Sequence, residues 1–186
     1  MFGDTSPTAA ETRAPRAGDD IVSPADVVMD RAFTVDGKPE SVWPWLVQLG
    51  KGRAGWYLTR TVERFLPASR RAGRAIDERW QDLRIGDVVP DYGDRNASFT
   101  VAEIDPPHSL VYRSTRGHTQ LTWSITCEPA TGGDGAGRTR VCARLRLAPV
   151  RRVWLARTMG GFFDRMTVAA MAAGLQERVS ESGRSR

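Results

Sequence analysis

The sequence is poor in the residues that carry most metal and redox chemistry. It has two histidines, His108 and His118, and two cysteines, Cys127 and Cys142, in 186 residues. Neither histidine is spaced with carboxylates or cysteines as a zinc-ligand set requires, so no metal site is expected. The cysteines are isolated from each other, which excludes a disulfide framework. Gly-rich phosphate loops, G-x-S-x-G and a Cys–His pair are also missing; no cofactor is implied and no catalytic residue is assigned. No apolar run reaches the roughly 18 residues of a membrane-spanning helix, and the start MFGDTSPTAAETRAPRAGDD lacks the apolar stretch of a secretion signal. The expectation is a soluble, cytoplasmic protein without a membrane span.

Lysine is nearly absent too. Lys38 and Lys51 stand alone, and arginine supplies the rest of the 27 cations behind a net charge of +5. Those arginines are dispersed, from Arg13 and Arg16 through Arg70, Arg71 and Arg74 to Arg184 and Arg186. No basic stripe with interleaved aromatics emerges, so a specific nucleic-acid partner is not expected.

What is present is a chain with the length and apolar content of one domain. Residues 1–24 hold scarcely any large apolar side chain before Ile21 and read as a disordered leader; 25–180 read as the folded unit and 181–186 as a tail. VVMDRAFTV, Val27 to Val35, reads as a first strand. Pro39 to Leu49 reads as a short helix, with Pro39 and Glu40 in its opening turn and Gly50 beyond its end. A second short helix is expected from Trp56 or Leu58 to Phe65, then an arginine-rich surface loop from Ala68 to Asp77. Gly86 and Asp87 form a turn that launches Val88 to Pro90. Four further strands follow at Ser98–Asp105, Ser109–Ser114, Gln120–Glu128 and Thr139–Leu147, separated by Pro106-Pro107, Arg116-Gly117 and the glycine-rich Thr131–Gly137.

The last two strands declare their faces. Leu121, Trp123, Ile125 and Cys127 alternate with polar residues, as do Val141, Ala143, Leu145 and Leu147 with Arg140, Cys142, Arg144 and Arg146. One apolar and one polar face point to an antiparallel sheet covered on a single side. The cover is the run from Val153 to Val179, where Leu155, Met159, Phe162, Met166, Ala169 or Ala170, and Ala173 recur at helical spacing. Such a helix is roughly 40 Å long and needs an extended surface against it. The fold class that follows is α+β: a curved antiparallel sheet wrapped around a long C-terminal helix, with two short helices after the first strand. Those helices would plug one end and leave a cavity between sheet and long helix.

The residues that complete this reading are VWPWLVQLGKGRAGWY (Val42 to Tyr57), then Gly86-Asp87, FTVAEIDPPHSLVYR, LTWSI, GRTRVCARLRL and the closing helix. Together they resemble the SRPBCC superfamily of helix-grip proteins, which includes START lipid-transfer domains, birch-pollen-type allergens and polyketide cyclases. The resemblance spans about Val27 to Val179 and implies binding of a small hydrophobic molecule, aromatic ones included, by a non-catalytic carrier or sensor. A cyclase or dehydratase acting on an aromatic or polyketide-like substrate is the alternative it leaves open. Candidate ligand-binding residues are Arg53, Trp56, Tyr57, Trp80, Tyr112, Trp123, Phe162 and Met166. Candidate acid–base groups are Glu103, Asp87, Tyr57, Tyr112 and Arg53, with Glu103 facing inward only if its strand has no bulge. Arg53, flanked by glycines, either holds a ligand carboxylate or phenolate or pairs with an acid such as Asp87.

Overall fold

The computed structural model describes residues 4–92, 97–131 and 137–184. Among them, β1 (Val27–Asp36), β2 (Val88–Pro90), β3 (Ser98–Asp105), β4 (Ser109–Arg116), β5 (Thr119–Pro129) and β6 (Arg138–Ala148) form one antiparallel sheet. The order across it is β1-β6-β5-β4-β3-β2. Helix α1 (Ala9–Arg13) precedes the sheet, and α2 (Pro39–Val47) and α3 (Arg60–Glu63) lie between β1 and β2. The chain closes with α4 (Val153–Leu155), a π-helical turn over Ala156–Gly160, and α5 (Gly161–Arg184). This is the α+β helix-grip arrangement that the strand alternation and the closing helix predict. Most of the glycine-rich turn expected before β6 lies outside the described residues.

Register follows the hydrophobic pattern. Leu121 pairs with Leu147, Trp123 with Leu145, Ile125 with Ala143 and Cys127 with Val141, so one face of β5–β6 is apolar throughout. Phe33, Val35, Leu110, Tyr112 and Val101 continue that face, and Trp45 and Leu46 of α2 pack onto it. Cys142 pairs with Thr126 on the opposite face, and both thiols are free. A bulge between Val101 and Glu103 sets Glu103 opposite Val111, which pairs in turn with Ser124 on the outer face. Cross-strand neighbours share a face, so the bulge turns Glu103 away from the interior.

Two expectations need correction. The expected stripe holds only in its second half: Ala169 is buried, whereas Met159, Phe162 and Met166 are all exposed. The packed line is Val168, Met171, Leu175 and Val179. Where the helical run crosses β1 it presents Gly160 and Gly161, whose added Cβ atoms would lie 3.6 Å from Met29 and 4.0 Å from Arg31. Asp164 meets Arg31 there at 2.9 Å. Arg31 also donates to Gly161 O at 2.8 Å, so this side of the run is held to β1 by polar contacts and the large aromatics lie away from it.

The C-terminal half of α5 is anchored harder. An added Cβ at Gly174 would sit 2.6 Å from the backbone of Tyr57 and Leu58. One turn on, the fully buried Arg178 donates to Glu63 at 2.6 Å, to Gly73 O at 2.8 Å and to Leu58 O at 2.9 Å, and its guanidinium covers the Tyr57 ring at 4.6 Å. Arg74 reaches the other Glu63 oxygen at 2.8 Å. Burial works to raise the Glu63 carboxyl, but hydrogen bonds from Arg178 and Arg74 outweigh it and hold the group below its ordinary range.

The second correction concerns the leader. Residues 4–7 pass the free edge of β1, where the Ala32 N–H donates to Thr5 O at 3.0 Å, and residues 8–26 are laid across the outer face of the sheet, with α1 started by a capping box between Thr8 and Glu11. Arg144, buried in the outer face, donates to Thr12 O at 2.7 Å, Ala14 O at 3.0 Å and Asp19 at 2.8 Å; Arg140 pairs with Glu11 at 2.7 Å. Gly18 turns at φ 76° against Val111, only 2.4 Å from where its Cβ would stand. Thr122, Ser124 and Cys142 are buried in consequence. The adhesive is arginine against carbonyl and carboxylate, which a search for apolar residues does not detect. Of the expected tail, residues 181–184 continue α5.

Removing residues 1–20 is therefore expected to lower the melting temperature, with a loss of about 2–4 kcal/mol from lost packing and charged hydrogen bonds. The Arg140 hydrogen bond depresses the Glu11 pKa from 4.5 to about 2. A depressed carboxylate contributes fully above its unfolded pKa and loses that contribution as pH falls. The stability gap between the native chain and Glu11→Gln should accordingly shrink as pH drops from 4.5 towards 2. Gly174→Ala should cost about 1–3 kcal/mol in a denaturant titration, although alanine is the better helix former by about 1 kcal/mol.

Candidate functional site

The turn after α2 is closed by paired hydrogen bonds between Gly50 and Gly55 at 3.0 and 3.2 Å. It delivers Arg53, Trp56 and Tyr57 to different surroundings. Tyr57 enters the core, donates to Trp45 O at 2.7 Å and lies under Arg178. It is a structural residue tied to both α2 and α5. Trp56 goes instead to the middle of the sheet and stacks on Trp123 with centroids 6.0 Å apart and planes at 29°.

Trp123 continues the stack to Tyr112, again at 6.0 Å, with planes at 22°. Phe99 closes the group at 5.8 Å from Tyr112 and 6.0 Å from Trp123. The cross-strand pair Tyr112–Trp123 sets this cluster, because neighbouring strands place directly opposed side chains within contact. Arg53 borders it. Its guanidinium lies 4.8 Å over the Trp80 ring and donates to Trp80 O at 2.8 Å and Val47 O at 3.1 Å. The Asp87 partner considered from the sequence makes no hydrogen bond to Arg53; it instead accepts from the Arg84 backbone at 2.9 Å.

The cluster holds three buried donors without acceptors among the described residues: the Arg53 Nε–H, the Trp56 indole N–H and the Tyr112 hydroxyl. Burial pushes the Tyr112 phenol well above its ordinary pKa, opposed by the positive charge of Arg53, so the group is a neutral donor. Burial also lowers the Arg53 pKa, and Tyr112, Asp87 and Tyr57 oppose that shift. Buried polar groups are ordinarily paired, and three unpaired donors beside one aromatic stack suit a flat molecule that brings oxygen acceptors.

Outside the stack, Arg53, Trp56, Trp80 and Tyr92 line an open hollow of about 1440 Å³. A groove of about 640 Å³ lies between the β1 edge and α5, lined by Phe33, Thr34, Val62, Ala172 and Ala173. Thus Arg53, Trp56, Trp80, Tyr112 and Trp123 come together, and Tyr57 is withdrawn into the core. Phe162 packs on Phe163 at 5.9 Å and, with Met166, faces solvent rather than the stack. Phe99 was legible as a member from its parity with Val101, whereas nothing periodic marks Tyr92.

No protein-family model matches the chain. No curated protein matches its sequence. Solved structures do. Hypothetical protein jhp0584 from Helicobacter pylori is 12% identical with a TM-score of 0.56, over 88% of this chain and 95% of that one. Protein Ms6760 from Mycobacterium smegmatis is 16% identical with a TM-score of 0.51, over 84% and 93%. A norcoclaurine synthase point mutant from Thalictrum, in complex with a transition state analogue, is 11% identical at a TM-score of 0.49, over 84% and 96%. At such identities the likeness to jhp0584 and Ms6760 is one of fold alone. Among the described residues no helix is long and apolar enough to cross a membrane.

Because the Tyr112 hydroxyl is buried without a partner among the described residues, Tyr112→Phe should leave the melting temperature unchanged or raise it. Removing a satisfied buried hydroxyl would instead cost about 1 kcal/mol, visible in the same melt.

Proposed function

With the helix-grip fold of the SRPBCC superfamily as its frame, we propose that this protein binds a small, largely apolar aromatic molecule at the Trp56–Trp123–Tyr112 stack. The carrying observation is the set of three buried donors at that stack that find no acceptor among the described residues. Stacking rings hold the ligand's faces, while Arg53, Trp56 and Tyr112 select for a carbonyl or phenolate oxygen at its edge. Arg53 also ties the glycine turn to Trp80, so an arriving anion would meet a guanidinium already held in place. The protein acts as a carrier or sensor in the cytoplasm, in keeping with the free thiols of Cys127 and Cys142.

A cyclase or dehydratase is the second reading, favoured by Tyr112. A neutral phenol beside a guanidinium would polarise a substrate carbonyl toward enolisation. A proton acceptor would have to come from the substrate or from solvent, which makes binding the stronger reading.

Two fluorescent probes test it: 8-anilinonaphthalene-1-sulfonate, which is anionic, and N-phenyl-1-naphthylamine, its neutral counterpart. Both should bind saturably and quench tryptophan emission. Arg53→Met should weaken the anionic probe by about 1.5–3 kcal/mol and leave the neutral one within about twofold. If both weaken together while the melting temperature falls, Arg53 is structural; if neither probe binds, the reading fails.

A further inference from the structure

The first half of the C-terminal helical run carries an apolar side that the rest of the described chain leaves open. Trp154 is 75% exposed, Met159 56%, Phe162 61%, Phe163 60% and Met166 45%. Met159, Phe162 and Met166 recur at i, i+3 and i+7, a straight line along the axis. The π turn over Ala156–Gly160 rotates the chain less per residue than an α-helix does. It thereby carries Trp154 round toward the same side. The opposite side is committed to the sheet through Gly160, Gly161 and Asp164.

The fringe of this apolar side is basic. Arg151, Arg152, Arg157 and Arg165 are all exposed. The single acid of the stretch, Asp164, is turned inward to Arg31 and does not offset them. Nearby, Arg157 donates to the backbone carbonyl of Asp26 at 3.2 Å, and Arg165 lies within electrostatic range of the exposed Asp4.

We propose that residues 151–166 form a peripheral docking face for an anionic lipid bilayer, with the helix lying in the plane of the surface. Tryptophan, phenylalanine and methionine would enter the headgroup–acyl boundary, while the arginines reach lipid phosphates. Charge decides against a second copy of this chain. In a two-fold dimer the patch would meet itself and bring arginine against arginine. The inference is independent of what the aromatic stack binds.

The test is co-sedimentation of the full chain with large unilamellar vesicles, of phosphatidylcholine alone or with about 30 mol% phosphatidylglycerol. Partition onto the anionic vesicles is expected, with little onto the neutral ones and loss in high salt. Phe162→Ser/Phe163→Ser and, separately, Arg151→Gln/Arg152→Gln should each lower that partition by about tenfold or more, with unchanged melting temperature. The arginine variant keeps the test valid should the phenylalanine variant fold poorly. Failure of the native chain to sediment with anionic vesicles would overturn the proposal. So would partition insensitive to both variants, or a dimer in size-exclusion chromatography that the phenylalanine variant splits.

Discussion

The constraint on which the rest depends is the burial of Arg178. A guanidinium with no solvent exposure must have its donors satisfied, and here Glu63, Gly73, Leu58 and Gly174 supply the acceptors. Gly174 lies on α5 itself, whereas Glu63, Gly73 and Leu58 belong to the segment between α2 and β2, which has little regular structure of its own. The arginine therefore gives an irregular stretch a fixed place against α5. Arg74, held to the same Glu63, gathers Glu177 and Glu181 from the helix into one network. With residues 58–74 held there, the preceding Gly50–Gly55 turn has a defined exit, and Trp56 is aimed at the sheet.

Both faces of the sheet are consequently covered, but by different physics. The inner face is closed by aliphatic and aromatic packing from α2 and α5. The outer face is closed by residues 8–26 through charged hydrogen bonds to Arg140, Arg144 and Arg146. An inner cover of this kind stabilises through area removed from water. An outer cover of this kind loses the Glu11–Arg140 contribution as acid protonates Glu11, just as the inner side loses that of Glu63 with Arg178.

The aromatic stack sits where these constraints meet. Trp123 and Tyr112 are fixed by strand pairing, Trp56 by the turn, and Arg53 by the carbonyls of Val47 and Trp80. A ligand would find its partners already oriented, which limits the ordering cost of binding. The exposed side of residues 154–166 stands apart from this stack, so an apolar molecule held there and a lipid surface can be considered as separate partners.

Strand positions, their alternating faces, the short helix from Pro39 and the existence of a long closing helix were all legible in the sequence, because each is a local pattern repeated over many residues. So was the separation of Cys127 from Cys142, which needs only parity. The inward position of Trp123 was legible from parity, but its stacking on Tyr112 came from strand register, and its contact with Trp56 depended on a turn whose exit direction is set from a distance by Arg178 and Glu63. Helical spacing placed Phe162 and Met166 on one line; which side that line faced was decided by the contacts of Arg31 on β1 with Gly161 O and Asp164. The leader's sequence, polar and short of apolar residues, is that of a disordered segment, and only the arginines waiting on the outer face make it a cover. Local chemistry thus determined the elements and their faces, while the pairing of charges far apart in the chain, which no periodicity encodes, decided where those faces point.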